Sequence, residues 1–413
     1  MSYDPETSLM LLCLSATNEG GTVDRLHAIS FENIDWSYIL RFSRQNGIAP
    51  LLYHNLKQND LADSIPEGIR LTFEKIYHGV GFQNALYLEE LQHLLHILEK
   101  AGIRTVLLKG AAIVEDVFRN IALRQMADID VLVQEEDLDR AEAKVSESGY
   151  IPNEYEKSKD WYRKYHHHIA PYYHPDRKIA LEIHRHILPP ENPFGIEIHK
   201  LWERAHPMHI GDTRTSTLSP EDMISHLCLH FAFCGGFIGG LRSLTDIAEA
   251  LQHHRKRIDW YHIIKEANDH HYINFIYFSL YLAKDLLDAG IEHDMAGRLK
   301  QHVKLNAVDF SLLKIMTKNI LLKDDASSIL PKGYLSLLCK QLLDDGPFHK
   351  KLRSFIRRLI GNPDPEIKDS SRSSESDPAD FSAAGRIARI FSSNSRHLAK
   401  AVFHKGRGKR TYH

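Results

Sequence analysis

The sequence predicts an α+β protein, a strand-and-helix core between two helical regions with a disordered basic tail at the carboxyl end. Two patterns and a shift in composition carry that reading. Apolar residues recur at helical spacing before residue 100 and again after residue 218, and short runs with period-two alternation lie between them. Beyond residue 362 the chain is rich in serine and charge. At roughly 100–200 residues per domain, 413 residues allow two or three compact units. The regions fall at 1–100 (helical), 101–217 (core), 218–361 (helical) and 362–413 (linker and tail).

In the first region Leu88, Leu91, Leu95 and Leu98 form an apolar helical stripe, and Gly102 supplies a helix stop. The pattern changes at Ile103. Residues 103–108 are an apolar run of strand type, followed by Lys109-Gly110 and a helical stretch to Phe118. Residues 128–133 read as a second strand and 138–148 as a charged helix closed by Gly149; 169–173 and 179–184 read as two further strands. Ser219-Pro220 has the form of a helix start, a cap residue with proline at the first helical position. Helical periodicity then continues to about residue 360. Residues 362–380 cannot bury enough apolar surface to order themselves. The last segment, 381–413, holds eight Lys/Arg and no Asp or Glu, with Ile387, Phe391, Leu398 and Val402 spaced as in an amphipathic helix.

Composition narrows the class. With 52 basic against 54 acidic residues, no global field draws the chain to nucleic acid or to a membrane. No stretch approaches the ~18 apolar residues that span a bilayer. The amino terminus lacks the basic start of a secretory signal. Cys13, Cys228, Cys234 and Cys339 form no Cys-x-x-Cys pair, so a reducing cytoplasm is the expected location.

The chemistry is expected from three places. Successive strand side chains point to opposite faces, so Asp128 and Asp130 project together, roughly 6–7 Å apart, while Ile129, Val131 and Val133 face the core. In 179–184 the same arithmetic turns Ile179, Leu181 and Ile183 inward and Glu182 and His184 outward. If the two strands are neighbours, three carboxylates meet on one patch, and repulsion raises their pKa values unless a cation neutralises them. A hard divalent ion, Mg²⁺ or Mn²⁺, suits such oxygen ligands. Upstream, Lys109-Gly110-Ala111 joins a strand to a helix, where free backbone N–H groups favour an anion and the bare Gly110 admits a phosphate. A phosphate cradle followed by metal-binding carboxylates is the equipment of phosphoryl or nucleotidyl transfer.

The combination resembles the uncharacterised bacterial nucleotidyltransferases with a Lys-Gly motif, a branch of the DNA polymerase β-like superfamily. The matching residues are Leu107-Leu-Lys-Gly-Ala111, Arg124-Gln-Met-Ala-Asp-Ile-Asp-Val-Leu-Val133, Gly149-Tyr150 and Leu181-Glu-Ile-His184. Downstream, Leu218-Ser-Pro-Glu-Asp222, His230 and Leu241-Arg-Ser-Leu-Thr-Asp-Ile247 resemble the family's helical portion, so that the likeness covers roughly residues 5–255. It implies a mixed-sheet catalytic domain with helical flanks. It also implies Asp128, Asp130 and Glu182 as catalytic metal ligands for Mg²⁺ or Mn²⁺, with Lys109, Gly110, Ala111 and Arg124 toward the nucleotide phosphates. The expected reaction transfers a nucleoside monophosphate from an NTP such as ATP to an acceptor, whether a small molecule, RNA or protein, with release of pyrophosphate.

The wider superfamily holds the triphosphate with a Gly-Ser pair, and here Ala111 stands in place of the serine. That departure keeps a second reading open, a catalytically degenerate scaffold or interaction module. Arg124 has two roles open to it, neutralising a phosphate or bracing the Asp128 loop. Arg242 and Asp246 either approach the nucleotide or make a helix cap or ion pair, and His184 either orients a metal ligand or is a satisfied strand residue. Histidine is in excess, but strand alternation should set His166, His167 and His168 on opposite faces, and zinc is not expected. His226 and His230 have helical i, i+4 spacing without the glutamate of a zinc protease motif. The basic tail is expected to meet an acidic partner, an anionic membrane surface or RNA.

Overall fold

Helices carry most of the chain ahead of the sheet. The computed structural model describes residues 3–15, 21–153, 157–190, 192–322 and 332–344. Five helices come first: α1 (Pro5–Cys13), α2 (Thr22–His27), α3 (Trp36–Gln45), α4 (Ala49–Gln58) and the 34-residue α5 (Glu67–Lys100). Aspartates cap two of them, Asp4 accepting from Thr7 N–H at 2.8 Å and Asp35 from Tyr38 N–H at 2.9 Å. The expected stripe is the buried side of α5: Leu91, Leu95 and Leu98 are almost wholly buried. Gly102 ends this helix in the left-handed region, φ +71°, where a side chain would be strained.

The strands of the described residues form one mixed sheet. They are β1 (Val106–Leu107), β2 (Ile129–Leu132), β3 (Ile151–Pro152), β4 (Tyr172–His174), β5 (Ile179–His184), β6 (His206–Ile210) and β7 (Thr213–Thr217), in the order β3-β4-β5-β2-β1-β7-β6. Neighbours β2/β5 and β1/β7 are parallel, and the other pairs are antiparallel. Between strands lie α6 (Lys109–Ile113), continued by a π-helical turn at Val114–Phe118, then α7 (Leu138–Glu147), α8 (Lys159–Tyr165) and α9 (Ile198–Arg204). Strand β5 spans the residues expected of it. The first expected strand pairs over two residues only, and Lys109 turns the backbone to φ +44° directly after Leu108. The run expected at 169–173 pairs at Tyr172–His174, with Ile169 N–H held by Ile183 O at 3.0 Å. The β6–β7 hairpin was not expected. Its inward positions are Thr213, Thr215 and Thr217, which carry no apolar alternation to read; Thr215 hydroxyl meets Thr105 hydroxyl at 2.8 Å.

Helices resume with α10 (Pro220–Leu229), where Ser219 Oγ accepts from Asp222 N–H at 3.2 Å as the Ser-Pro start predicts. Then come α11 (Gly240–His254), α12 (Trp260–Asp269), α13 (Ile273–Leu287) and α14 (His293–His302). All of these belong to one unit, residues 1–234 with 239–303; the other takes 235–238 and the chain from 304 onward. In the latter, α15 (Ala307–Leu322) packs against α16 (Lys332–Leu343). The expected linker and tail at 362–413 lie outside the described residues. Among the described residues no helix is long and apolar enough to cross a membrane.

Candidate active site

Parallel pairing of β2 with β5 brings the carboxylates together. The register sets Asp130 opposite Glu182 and Leu132 opposite His184, and the two-residue period turns Asp130, Glu182 and His184 to one face. Strand β1 runs antiparallel on the other side of β2, with Leu108 N–H on Asp130 O at 3.1 Å, so Lys109 emerges beside the same face. Its Nζ lies 2.7 Å from Asp130 Oδ1 and 3.7 Å from Glu182 Oε2. His184 Nε2 lies 2.8 Å from the same Asp130 oxygen and 3.3 Å from Glu182 Oε2.

This cluster is inside the protein. Asp130 is 1% exposed and His184 fully buried, so the face expected to point outward is covered. His226 of α10 lines a small cavity together with Lys109, and both His226 and His230 lie within electrostatic reach of Lys109, Asp130 and His184. Burial works against every charge here, and the outcome depends on partners. Burial depresses the Lys109 ammonium, yet the carboxylates of Asp130, Glu182 and Asp128 outweigh it and hold Lys109 charged. Asp130 is held well below the carboxylate range, since Lys109 and His184 overcome its burial. Glu182 is lowered too, its burial offset mainly by the His184 hydrogen bond, and His184 is raised by Asp130 and Glu182 against burial and Lys109.

Asp128 is compensated only in part, by Lys109 and Arg124. It makes no ion pair among the described residues, and burial, with repulsion from Asp130 and Glu182, pushes its carboxyl up to about 6. Asp130, Glu182 and His184 each bring one ligand atom within 4.8 Å of the others, and Asp128 is near enough to be raised by both carboxylates; such a set fits a divalent cation, and the Lys109 ammonium supplies part of that charge itself.

The loop that carries Asp128 is held by α5. Asn84 is fully buried; it donates to Ile121 O at 2.6 Å and Arg124 O at 2.7 Å and accepts from Met126 N–H at 3.0 Å. Tyr87 hydroxyl donates to Ala127 O at 2.9 Å. Sequence reasoning found neither residue, since a buried Asn and Tyr on a long helix give no signal beyond a polar break in the apolar stripe.

Arg124 is held in an ion pair with Asp246. Its Nη2 and Nε reach Asp246 Oδ2 and Oδ1 at 2.9 and 3.2 Å, and its Nη1 donates to Gln125 O at 3.1 Å. Gly110 faces this guanidinium: a Cβ there would lie 2.6 Å from Arg124 Nη1, so the space a side chain would need is taken by an arginine. Ala111 is buried and offers no hydroxyl. Arg242 has no carboxylate within ion-pair distance among the described residues; burial and the neighbouring Arg124 lower its pKa, with Asp246 and Asp128 nearby pulling the other way.

The expectation for the three adjacent histidines is corrected. Residues 166–168 do not form a strand; α8 ends at Tyr165 and the chain turns, pairing only at an isolated bridge of His168 with His184. Without strand alternation the rings gather, His166 and His168 with centroids 3.9 Å apart and His166 and His167 4.4 Å apart. Burial keeps His166 and His168 neutral, at about 3 and about 4, and lowers His167 further. The rings of His226 and His230 meet edge to face at 6.2 Å.

The chain belongs to the uncharacterised nucleotidyltransferase family, whose model matches residues 32–288 and so takes in every residue of this site. Among the curated proteins none matches.

Proposed function

We propose that the protein transfers a nucleoside monophosphate from an NTP to an acceptor hydroxyl, phosphate or amine, releasing pyrophosphate, in a reaction that needs Mg²⁺ or Mn²⁺. The observation that carries this reading is the in-register parallel pairing of Asp130 with Glu182, with Lys109 Nζ reaching both. Asp128, Asp130 and Glu182 would hold the ion. When bound, it supplies the positive charge that neutralises the phosphates and stabilises the leaving pyrophosphate.

The remaining roles belong to the chain. Glu182 is the more exposed of the two paired carboxylates, 21% against 1%, which suits it to orient the acceptor or take its proton. His184 Nε2 positions both carboxylates and, with its proton, limits their repulsion. Lys109, repelled from the carboxylates by a bound cation, is left to pair with a phosphate oxygen. Arg124 is committed to Asp246, so the phosphate role expected of it passes to Arg242, a half-buried cation with no carboxylate at ion-pair distance among the described residues. The family resemblance supports the Lys-Gly branch, and the burial of Cys13, Cys228 and Cys339 supports a reducing cytoplasm.

The test compares Glu182→Gln with Asp128→Asn. Metal-dependent NTP binding is measured directly, and transfer is followed by mass spectrometry of acceptors labelled in cell extract. Glu182→Gln should lose turnover while keeping most nucleotide affinity, and Asp128→Asn should lose affinity. Full transfer by Glu182→Gln would refute the assignment. The degenerate scaffold has one observation in its favour: Lys109 already neutralises Asp130 at 2.7 Å, as it would in a site that no longer takes a metal. Absence of NTP binding with both metals would establish that reading.

A further inference from the structure

We propose that His166, His167 and His168 form a site for a transition-metal ion of the zinc class, distinct in its imidazole ligands from the Asp128 and Asp130 carboxylates and bordered by Glu182. One ligand nitrogen of each histidine lies within 4.8 Å of those of the other two. A tetrahedral zinc with Zn–N near 2.0–2.1 Å sets its ligands ~3.3 Å apart, so the rings need to close by about 1.5 Å at most. His167 is 6% exposed and His168 5%. His166 Nδ1 and His167 Nδ1 are buried with no hydrogen-bond partner, as is Nδ1 of the adjoining His184, whose ring centroid is 5.2 Å from that of His167. Orphaned polar atoms gathered in one place are unfavourable unless something unites them.

The tautomer of His168 points the same way. Its Nδ1 lies 2.7 Å from Ile169 O and so carries the proton, leaving the Nε2 lone pair directed outward, which is how metal-binding histidines are commonly oriented. That Nε2 stands 3.6 Å from Glu182 Oε2. A lone pair facing a carboxylate is repulsive, and a cation bound there relieves the repulsion. Neutral imidazoles favour zinc, cobalt, nickel or copper over magnesium, so the ion that suits the carboxylates does not compete here. Another gathering, Asp116 with His253 and His254, also has orphaned nitrogens, Nε2 of both histidines, but lacks the outward lone pair: His254 Nδ1 accepts from Arg257 at 2.6 Å, which places its proton on the Nε2 that faces Asp116. An ion on His166–His168 would pin the α8–β4 connection and, through the His168–His184 bridge, the strand that presents Glu182. The proposal does not depend on nucleotidyl transfer.

The test uses the full chain without a histidine tag, stripped with chelator. It is titrated with Zn²⁺ alone by calorimetry and with Co²⁺ alone by visible absorption. One Zn²⁺ per chain should bind, persist in excess Mg²⁺ and survive in the Asp128→Asn/Asp130→Asn variant. Affinity should fall at least ~10-fold in His166→Gln/His167→Gln, and His167→Cys should retain tight binding because a thiolate replaces the imidazole. If the double variant does not fold, His166→Gln alone, at the half-buried position, carries the comparison. The proposal is overturned if no stoichiometric Zn²⁺ binds, if binding is lost with the aspartates, if it is unchanged in the folded histidine variants, or if it follows His254→Gln.

Discussion

Gly110→Ala separates two explanations of the Lys-Gly pair. If Gly110 serves only to admit a phosphate, the methyl meets nothing in the free protein, and the change should stabilise it by about 0.5–1 kcal/mol through helix propensity. The structure says otherwise, because the new Cβ would stand 2.6 Å from Arg124 Nη1, about 1 Å inside ordinary contact. The tip of a free arginine would swing away at little cost. Here it is pinned by Asp246 at 2.9 and 3.2 Å and by Gln125 O at 3.1 Å, and Asn84 fixes the backbone behind it. Moving it forfeits the bond to Gln125 and weakens a buried charged pair. Hydrogen bonds to charged groups contribute about 1.5–3 kcal/mol each, so Gly110→Ala should destabilise by about 1–3 kcal/mol after the propensity gain. The sign should reverse in an Arg124→Met/Asp246→Leu background, where no guanidinium remains to be displaced. Urea denaturation of the four proteins gives the cycle, with equal m-values as the condition for comparing midpoints. An unchanged or raised midpoint for Gly110→Ala in the native background would refute the argument.

Asn84→Ala removes three bonds to the 121–126 loop and leaves carbonyls of Ile121 and Arg124 unpaired; it should cost about 2–4 kcal/mol and speed proteolysis in that loop, which denaturation and timed digestion would measure. Arg242→Ala should weaken NTP binding with a stability change of about 0.5 kcal/mol or less, since no ion pair is broken; equal affinity for the two proteins by calorimetry removes Arg242 from the nucleotide site. Glu249, on α11, has its carboxyl raised to about 7 by burial and then by Asp246. Its folded pKa lies above the unfolded value near 4.3, so the folded state binds the extra proton between them and stability falls as pH rises from about 4.5 to 7. The loss amounts to ~3 kcal/mol, and Glu249→Gln should flatten that part of the pH–stability curve; an unaltered slope would show that Glu249 is not its source.

What the sequence by itself determined is local. The two-residue alternation in 128–133 and 179–184 settled which face of each strand is apolar, and thus that Asp130 in β2 and Glu182 with His184 in β5 lie on the other face of their own strands; the pairing of β2 with β5 made those faces one. The leucine stripe of α5 and the Ser219-Pro220 start were likewise legible, because periodicity and capping are decided by residues within a few positions of one another. The β6–β7 hairpin escaped because its buried positions are threonines, whose branching suits a strand while their hydroxyls hide the apolar pattern. Tertiary structure alone decided who pairs with whom. The partner of Arg124 is 122 residues away, and Asn84 is 42 residues from the amide it holds. Lys109 turned out to neutralise Asp130 and Glu182, Gly110 to make room for Arg124, and three histidines meant for opposite faces to meet in a turn. The physical reason is that electrostatic partners and close contacts depend on how distant segments are brought together, whereas local periodicity specifies only which side of each segment avoids water.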